Sequence, residues 1–387
     1  MQIAYLIVAH HQPHHFARLI KTLDGPECAF FIHIDAKVDE TAFREAVKGF
    51  GNVVFMEHRI EVTWGGFSLV EATLALLHAA VSFGPSFHRF CLLSGSDFPI
   101  KPNARILADF NSTREFMRVD RKLKFGEDTP HNRYVGVYWF IDSADALLKN
   151  LSGTRMRQPY HYIGLYHGSA WWALTRDCVE YILRFVSSND GEFYSFFRAT
   201  LCSDEIFFHS IVKQSPFASR ITHDFETAPD QAEYFRCNEH GCHYIDWNAP
   251  SGSLPKVLDP QDFHRLLHSN SLFARKFDEQ RSGGLIRMLE SALTSTTPGL
   301  DAEDRPKRKP GLETHPADDQ FVIREAGSDQ VYYLNPTAAL ILEFCDGEHS
   351  VGEITTLVRE AYSLPDAPAE QVYNALANLI SEGLIQL

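Results

Sequence analysis

AYLIVAHHQPHHFARLIKTLDGPECAFFIHIDAK, residues 4–37, contains the pattern from which the fold class follows. Two apolar runs, at 4–9 and 28–34, enclose a segment whose apolar residues recur at helical spacing. The alternation continues with a helical pattern at 41–50 and another apolar run at 53–56. Strands that alternate with helices form βαβ units, and their strands pair in parallel. The sequence therefore predicts an α/β domain with a mostly parallel central sheet.

A long helix is predicted to follow this first segment. Ser68 and Glu71 have the spacing of a capping box, and the apolar-rich stretch 70–83 overlaps with them. A capping-box serine and glutamate satisfy backbone N–H groups at the start of a helix. We therefore expect the helix to begin near Ser68 and to lead into a further strand at 90–93.

The composition of the chain excludes several classes of protein. The chain has 387 residues, of which 44% are apolar and 22% charged, a balance typical of globular soluble proteins. The formal net charge of −14 opposes binding to nucleic acid, because phosphate backbones attract clustered Lys and Arg. Seven scattered cysteines lack the density of a disulfide scaffold and indicate reduced thiols. The first residues form too short an apolar run to span a membrane, so we expect a cytoplasmic protein.

Two domains and a linker are expected from the length and the local composition. Residues 294–317 contain four prolines and many charges with almost no apolar periodicity, which is typical of an exposed linker. Residues 1–293 would form the large α/β domain, and residues 318–387 a small α+β domain of winged-helix-like character. Turn-forming residues separate the apolar runs 321–324 and 331–334, which predicts a hairpin in the small domain.

Three helices are predicted after this hairpin. Asn335-Pro336 begins the first, and Ser350 with Glu353 forms a capping box for the second. The third begins at Pro368 and stops at Gly383.

Two consecutive acidic residues, Asp204 and Glu205, follow Ser203 at the start of a predicted amphipathic helix, and we expect Ser203 to be the N-cap of that helix. Acidic side chains in a first helical turn interact favourably with the helix dipole, so helix stabilisation explains this motif when it is taken alone. The functional alternative is that Glu205 projects into a cleft and accepts a proton from a sugar hydroxyl.

Six segments favour the functional alternative when they are taken together. They resemble, in the same order, the family of core-2/I-branching N-acetylglucosaminyltransferases and peptide O-xylosyltransferases, over residues 4–278. The resemblance implies a GT-A-like domain that binds a nucleotide sugar and transfers the sugar by direct displacement, with inversion and without a metal ion. The segments are AYLIVAHH at 4–11, FIHIDAK at 31–37, LLSGSDFPIK at 92–101, GSAWWALTR at 168–176, SDEIFF at 203–208 and LFARKFD at 272–278.

The resemblance also implies roles for individual residues. Glu205 takes the place of the family's catalytic base, and Lys276 matches a family cation that binds the donor diphosphate. The second family cation has no clean counterpart here, and Lys256 and Arg275 are approximate substitutes. The chain has no Asp-x-Asp, the motif that holds manganese in metal-dependent GT-A enzymes. We therefore expect no divalent metal and no cofactor beyond the co-substrate, with UDP-GlcNAc as the first-choice donor and UDP-xylose as the second.

His10 and Asp35 follow the first two predicted strands. Nucleotides bind at the carboxyl ends of strands in open α/β sheets, so we expect both residues to contact the base or ribose of the donor. A metal site in the histidine-rich run 10–15 is a rival interpretation, although consecutive strand residues point to opposite faces. A second rival interpretation is a zinc site in the Cys- and His-containing stretch 237–243, although the spacing of these residues is not that of a known zinc finger.

Four tryptophans are candidates for sugar contacts. Trp64 precedes two glycines, which permit close approach of a ligand, and we assign it to the donor site; a core residue beside an ordinary turn is the alternative. Of Trp171 and Trp172, one should pack in the core and one should face the acceptor, since successive strand residues face opposite ways. We assign Trp172 to the acceptor site. Trp247 matches a family tryptophan that contacts the acceptor.

The C-terminal segments 332–347 and 350–358, YYLNPTAALILEFCDG and SVGEITTLV, resemble PqqD-like peptide-binding domains. Members of that family add a leader peptide as an extra strand on the edge of the hairpin. The acceptor would then be a Ser or Thr hydroxyl on a recruited peptide, with a glycan hydroxyl as the alternative. A module for dimerisation or domain packing is the structural alternative, because fold alone does not fix function.

Two other functions compete with glycosyl transfer. A catalytically silent nucleotide-sugar or leader-peptide binding protein could keep the fold, but the presence of both Glu205 and Lys276 argues against it. A hydrolase built on the histidine cluster is the other, and it would require bound zinc.

Overall fold

The computed structural model describes residues 2–84, 87–127, 129–158, 160, 163–226, 237–247, 255–294, 302–317, 320–325 and 331–387. The chain divides into two compact units, Met1–Glu290 and Ser291–Leu387. The domain boundaries at 293 and 317 expected from the sequence stay predictions. Within the described residues, no helix is both long enough and apolar enough to cross a lipid bilayer.

The first unit contains the alternation of strands and helices predicted for its N-terminal part. Its strands are β1 Gln2–Ala9, β2 Cys28–Ile34, β3 Val53–Phe55, β4 Phe87–Ser94, β5 Phe98–Pro99, β6 Glu115–Lys122, β7 Tyr166–Gly168, β8 Ala173–Thr175, β9 Ile221–Asp224, β10 Glu239–His240, β11 His243–Ile245 and β12 Phe273–Arg275. Its helices are α1 Pro13–Leu23, α2 Thr41–Ala46, α3 Ser68–Phe83, α4 Asn103–Phe110, α5 Arg133–Gly136, α6 Ala146–Asn150, α7 Arg176–Ser188, α8 Asp190–Arg198, α9 Phe207–Lys213 and α10 Phe263–His268. Helix α11, Gly283–Thr294, crosses the boundary between the units.

A large sheet forms the centre of this unit, with strand order β3-β2-β1-β4-β8-β6-β7 and β9 paired to β6. Strands β3, β2, β1 and β4 pair in parallel. Strand β8 is antiparallel to both β4 and β6, and β9 is parallel to β6. The predicted α/β class with a mostly parallel central sheet is confirmed.

Strand β1 lies between β2 and β4, and residues 3–9 are all buried. Parallel strands covered on both faces require such continuous apolar runs, which explains the composition of the opening stretch. The register places Ala9 opposite Ile34 and Val8 opposite Ser94. The carboxyl ends of β1, β2 and β4 therefore meet at one edge of the sheet.

Helix α3 begins where the sequence predicts, but its predicted capping box is wrong. Ser68 lies inside the helix, and Glu71 pairs with Arg198 at 2.9 Å. The carboxylate of Asp142 accepts the backbone N–H groups of Phe67 (2.5 Å) and Ser68 (3.0 Å) in its place. A distant loop thus supplies the cap, which no local spacing could reveal.

A second, smaller sheet has the strand order β10-β11-β12-β5. Strand β12 pairs in parallel with β11 and antiparallel with β5, with Ile245 opposite Arg275 and Ala274 opposite Phe98. Because β5 comes four residues after β4 along the chain, this sheet carries Arg275 to the region where β4 ends.

The second unit contains β13 Lys307–Arg308, β14 Leu312–Ala317, β15 Gln320–Glu325, β16 Val331–Leu334 and β17 Ile385–Gln386. Its helices are α12 Pro336–Phe344, α13 Val351–Ala361 and α14 Ala369–Ser381. The predicted hairpin is β15–β16, and all three predicted helices are present. The side chain of Asn335 caps α12, and Ser350 with Glu353 forms the predicted capping box of α13.

The C-terminal part of the predicted linker is not the structureless segment that its composition suggested. Leu312–Ala317 forms a strand that pairs antiparallel with β15, so β14, β15 and β16 make a three-stranded sheet. Leu312 packs against the buried cluster of this unit, which gives the strand an apolar anchor. A strand at the edge of a sheet tolerates proline and charge, and this explains why its composition resembles that of a linker.

The packing of β7 against β6 can be tested at Gly168, a glycine in β7. A Cβ on Gly168 would lie 1.9 Å from the carbonyl oxygen of Arg118 and 2.6 Å from the His209 ring. We expect Gly168→Ala to lower the free energy of unfolding by roughly 1–3 kcal/mol, because the clash involves backbone. Gly191→Ala, with no atom within 4 Å of its Cβ, is the control and should change it by about 1 kcal/mol or less. Urea denaturation gives both values, and equal effects would contradict the packing argument.

Candidate active site

The edge formed by the carboxyl ends of β1, β2 and β4 carries the predicted nucleotide contacts. Strand β1 ends at Ala9, and the rings of His10 and His11 stack with centroids 4.3 Å apart. The expectation that these two histidines face opposite ways is therefore wrong, because the strand has ended before them. Burial lowers the pKa of both imidazoles, which favours the neutral form.

Asp35 lies beside this pair, directly after β2. Its carboxylate is nearly buried and accepts the backbone N–H of Lys37 at 3.0 Å and the Lys37 ammonium at 2.9 Å. Burial alone would raise the pKa of Asp35, but the hydrogen bonds from Lys37 outweigh it and lower the pKa. The group is thus an ionised acceptor that already has a cationic partner.

Asp97, in the turn after β4, is a site residue to which the sequence analysis gave no role. Its fully buried carboxylate accepts the backbone N–H and the hydroxyl of Ser94, each at 2.7 Å. It also lies 3.4 Å from Nε2 of His243 and 3.7 Å from Nε of Arg275. An acid inside the segment LLSGSDFPIK was the available signal, but its burial could not be foreseen from spacing.

Arg275 occupies the centre of the site. Its guanidinium stacks over the Trp171 ring at 4.0 Å from the centroid, and the charges of Asp204 and Glu205 act on it in addition to that of Asp97. Its Nε and Nη1 atoms are buried and have no hydrogen-bond partner within the described part of the chain. Buried donors without partners are costly, so this guanidinium is suited to bind an anion.

The two predicted lysines differ in their surroundings. The Lys256 ammonium donates a 2.7 Å hydrogen bond to the buried carboxylate of Asp262, which neutralises its charge. Lys276 is half-buried, follows Arg275 directly, and is close enough to His10 for its charge to lower the pKa of that imidazole. Within the described residues, no carboxylate forms a salt bridge with Lys276. The structure thus brings Arg275 and Lys276 to the site and pairs Lys256 with another residue.

Glu205 lies in a 3₁₀ turn, Ser203–Glu205, which precedes helix α9. The expectation that Ser203 caps an α-helix is wrong, because its hydroxyl donates to the carbonyl oxygen of Gly66 at 3.2 Å. The backbone N–H of Cys202 donates to the Gly65 carbonyl at 2.8 Å. These two hydrogen bonds join the 3₁₀ turn that carries Glu205 to the loop that carries Trp64.

One oxygen of Glu205 is held by a histidine that the sequence analysis did not single out. Nε2 of His167 lies 3.2 Å from Oε2 of Glu205, and Nδ1 of the same ring lies 3.2 Å from Oδ2 of Asp120. The other oxygen of Asp120 accepts a 2.7 Å hydrogen bond from Nε of Arg118. His167 precedes the segment GSAWWALTR by one residue, but nothing in the sequence joins it to an aspartate 47 positions away.

The charges around Glu205 shift the pKa values of its neighbours. Burial opposes protonation of His167, but its hydrogen bonds to Asp120 and Glu205 raise the pKa to about 9. Burial and the charge of Glu205 raise the pKa of Asp204 to about 7. Burial and the charge of His167 lower the pKa of His131 to about 4. Near neutral pH the site thus holds an imidazolium beside the Glu205 carboxylate.

The tryptophans do not all lie where the sequence analysis assigned them. Trp172 is fully buried and packs on Phe208 with ring centroids 5.2 Å apart, so its assignment to the acceptor site is wrong. Of the two neighbouring tryptophans, Trp171 is the one that faces the site, and the Arg275 guanidinium stacks on its ring. Trp64 is 84% exposed and Trp247 46% exposed, so both side chains are available for contacts, and their roles stay predictions.

Neither rival metal site gains support from the geometry. Among the residues that the structure describes, no group of three or more His, Cys, Asp or Glu side chains is placed to hold a metal ion. In the stretch 237–243, the Cys237 thiol donates to the backbone and the Cys242 thiol lies 3.5 Å from Nδ1 of His243.

Comparisons with known proteins show which families the chain is similar to. A family model described as "Core-2/I-Branching enzyme" matches residues 3–267, and one described as "Coenzyme PQQ synthesis protein D (PqqD)" matches residues 320–385. Xylosyltransferase 2 of Rattus norvegicus is 26% identical over 308 residues, which are 77% of this chain and 34% of that protein. Xylosyltransferase 1 of Canis lupus familiaris is 25% identical over 310 residues, 78% of this chain and 32% of that protein. The chain thus spans about a third of the length of these curated relatives.

Among solved structures, 4-diphosphocytidyl-2C-methyl-D-erythritol synthase of Anaerococcus prevotii overlaps 57% of this chain and 99% of its own, with 11% identity and a TM-score of 0.27. A TM-score this low does not indicate a shared fold, and the α/β class follows from the sheet topology described above.

An α/β sheet with charged residues gathered at the carboxyl ends of its parallel strands defines a class of protein that binds ligands at this edge. The chain belongs to the Core-2/I-branching enzyme family, a glycosyltransferase family related to the xylosyltransferases, and it also carries a PqqD domain. Both resemblances drawn from the sequence motifs are confirmed.

The raised pKa of His167 predicts how stability depends on pH. A histidine whose pKa is higher in the folded state contributes stability that is fully present below about pH 6.5 and is lost as the pH rises through the folded value of about 9. The unfolding free energy of the wild type, relative to His167→Gln, should therefore fall by roughly 1–3 kcal/mol over that interval.

Urea denaturation at several pH values measures this difference. His131→Gln is the control, because a pKa of about 4 leaves His131 neutral across the interval and its difference from the wild type should stay flat. A flat His167→Gln difference would mean that the imidazole is not held as a cation.

Proposed function

We propose that this protein transfers a sugar from a UDP-sugar to an acceptor hydroxyl with inversion, with Glu205 as the general base and with no catalytic metal ion. The observation that carries the proposal is the guanidinium of Arg275, whose buried donors Nε and Nη1 have no hydrogen-bond partner among the described residues and which lies within electrostatic reach of Glu205 at the carboxyl edge of the sheet. A cation beside a carboxylate base is what an inverting displacement of a diphosphate requires.

Glu205 has the properties of such a base. Its side chain is 27% exposed, and Oε2 is bound by His167. Within the described residues, Oε1 has no hydrogen-bond partner and can accept the proton of an acceptor hydroxyl. Inversion needs one carboxylate only, because the acceptor oxygen attacks the face of the sugar opposite the departing diphosphate.

Arg275 and Lys276 are assigned to the diphosphate. Negative charge grows on the leaving group as the glycosidic bond breaks, and cations held in place before the reaction stabilise it without reorganisation. The guanidinium is fixed by Trp171 and Asp97, which satisfies this requirement. Two cations at this position, together with the absence of Asp-x-Asp, support a donor site that works without manganese.

His10, Asp35 and Trp64 are assigned to the nucleotide and sugar of the donor, and Trp247 to the acceptor. For the donor, we propose UDP-xylose as the first compound to test and UDP-GlcNAc as the second. The sequence motifs favoured the opposite order, but the curated relatives are named xylosyltransferases.

The PqqD domain supports a peptide acceptor. Strand order β14-β15-β16 leaves β16 at an edge of the three-stranded sheet, and Tyr333 on this strand is 68% exposed. An edge strand can pair with an extended peptide through its main chain. We propose that a leader peptide binds here and supplies a Ser or Thr hydroxyl. A cytoplasmic location is part of this proposal, and it is supported by seven cysteines that are all free thiols.

Release of UDP in the presence of EDTA tests the base. Purified protein would be given UDP-xylose or UDP-GlcNAc, with and without peptides encoded near its gene. We expect release to persist in EDTA and Glu205→Gln to lower kcat by roughly 100-fold or more, because proton removal is lost. Binding of UDP should be unchanged. A Glu205→Gln variant with wild-type turnover, or activity that requires added manganese, would refute the proposed mechanism.

Binding of UDP tests the two lysines against each other. Lys276→Ala should weaken UDP binding by about 10-fold, which corresponds to roughly 1.4 kcal/mol, because the diphosphate site loses an ammonium that forms no salt bridge with a carboxylate of the described residues. Lys256→Gln should have a smaller effect, since its ammonium is paired with Asp262. Lys48→Ala, at an exposed position, is the control. Isothermal titration calorimetry measures all three, and a larger effect at Lys256 would reverse the assignment.

A further inference from the structure

We propose that His167 is a positioning residue for glycosyl transfer: its imidazolium fixes one oxygen of the Glu205 carboxylate and leaves the other free to accept the proton of the acceptor. Asp120 and Arg118 hold the imidazolium in place. This inference rests on the proposed function, because it assigns His167 a role relative to the Glu205 base.

The four side chains form a continuous line of polar contacts. Arg118 Nε to Asp120 Oδ1 is 2.7 Å, Asp120 Oδ2 to His167 Nδ1 is 3.2 Å, and His167 Nε2 to Glu205 Oε2 is 3.2 Å. The side chains of Arg118, Asp120 and His167 are 4%, 7% and 8% exposed, whereas that of Glu205 is 27% exposed. Only the last member of the line is therefore open to a substrate.

The backbone fixes the inner members of the line. Arg118 and Asp120 are two residues apart on β6, so both side chains point to the same face of the sheet. Strand β7 pairs with β6 with a register shift between Val119 and Arg121, so His167 lies opposite Arg121 and its ring still reaches the carboxylate of Asp120. The Arg118 guanidinium is itself anchored by the carbonyl oxygens of Cys237 (2.8 Å) and Glu239 (3.1 Å).

Each contact of the ring needs a proton between a nitrogen and a carboxylate oxygen. A neutral imidazole donates from one nitrogen only, but both nitrogens of His167 face a carboxylate oxygen. Because the Arg118 guanidinium keeps the Asp120 carboxylate ionised, the proton of that contact stays on Nδ1, and the second proton on Nε2 makes the ring an imidazolium.

Titratable groups from five elements surround His167. The β6 strand supplies Asp120 with its partner Arg118, the loop before α5 supplies His131, α5 supplies Tyr134, the 3₁₀ turn supplies Asp204 and Glu205, and α9 supplies His209. Of these, His131 and His209 both have a pKa lowered to about 4, mainly by burial, and remain neutral. The imidazolium thus faces a net excess of carboxylates, which is a stable arrangement for a buried cation.

The proton balance of the reaction follows from this arrangement. As the acceptor oxygen forms its bond to the anomeric carbon, its O–H bond breaks and the proton goes to Oε1 of Glu205. The bond from the anomeric carbon to the diphosphate breaks at the same time, and its electron pair leaves on UDP. His167 keeps its own proton throughout, so its contribution is to orient Glu205 and to offset repulsion from Asp204.

Titration of the imidazole by NMR tests the contact without any need for activity. The protein has 19 histidines, and the His167 signal is identified as the one lost in His167→Gln. We expect it to titrate near pH 9 in the wild type and at a lower pH in both Glu205→Gln and Asp120→Asn. A signal that titrates at the ordinary histidine value, or that does not respond to Glu205→Gln, would overturn the inference.

Kinetics tests the positioning role. We expect His167→Ala and His167→Gln to lower kcat by roughly 10- to 100-fold while KM for the UDP-sugar changes less than about twofold, because only the base is displaced. In a Glu205→Gln background the same substitutions should cause no further loss. His88→Gln, at an exposed position, is the control and should retain wild-type turnover.

The outcomes separate this inference from the proposed function. If Glu205→Gln abolishes turnover but both His167 variants retain it, the positioning role is refuted and the base assignment stands. If Glu205→Gln retains turnover, the base assignment fails, and the NMR titration still decides whether His167 is bound as a cation. An equal, additive loss from His167→Gln in both backgrounds would overturn the inference, because His167 would not act through Glu205.

Discussion

The rest of the site depends on the hydrogen bonds and ionic contacts of the buried Asp97 carboxylate. It closes the turn after β4 by accepting two hydrogen bonds from Ser94. It also faces His243 and Arg275, which belong to the second sheet of the first unit. A buried carboxylate requires cationic and N–H partners, so its position determines where the arginine can lie. Arg275, held between Asp97 and Trp171, in turn offers its remaining donors to the site.

Two polar systems meet at the same site. The buried carboxylate of Asp97 faces the Arg275 guanidinium there, and the line of contacts that begins at Arg118 holds the carboxylate of Glu205, which lies within electrostatic reach of Arg275. Each of these two charged groups is supported by a more deeply buried group of opposite charge. Such support holds charges in place before a substrate arrives, which is the electrostatic condition for stabilising a transition state. The proposed division into a cationic leaving-group site and an anionic base follows from this arrangement.

Local patterns predicted the fold well, whereas the site depended on contacts between distant residues. Strand β1 and helix α3 were predictable because apolar periodicity is a local property. The cap of α3 by Asp142 was not, because the two meet only after folding. The same limit applies to His167, whose partner Asp120 lies on another strand. Trp172 was misassigned because the sequence does not indicate which of two neighbouring tryptophans faces the core. The strand at 312–317 was missed because prolines and charges are tolerated at a sheet edge.

The proposed reaction is a single displacement at the anomeric carbon with Glu205 as the base. The most direct measurement is the anomeric form of the sugar first released when the protein hydrolyses UDP-α-xylose in EDTA, followed by proton NMR before mutarotation. A single displacement should release the β anomer first, because water would attack the face opposite the diphosphate. Release of the α anomer first would contradict it, since retention requires a second displacement or a different mechanism.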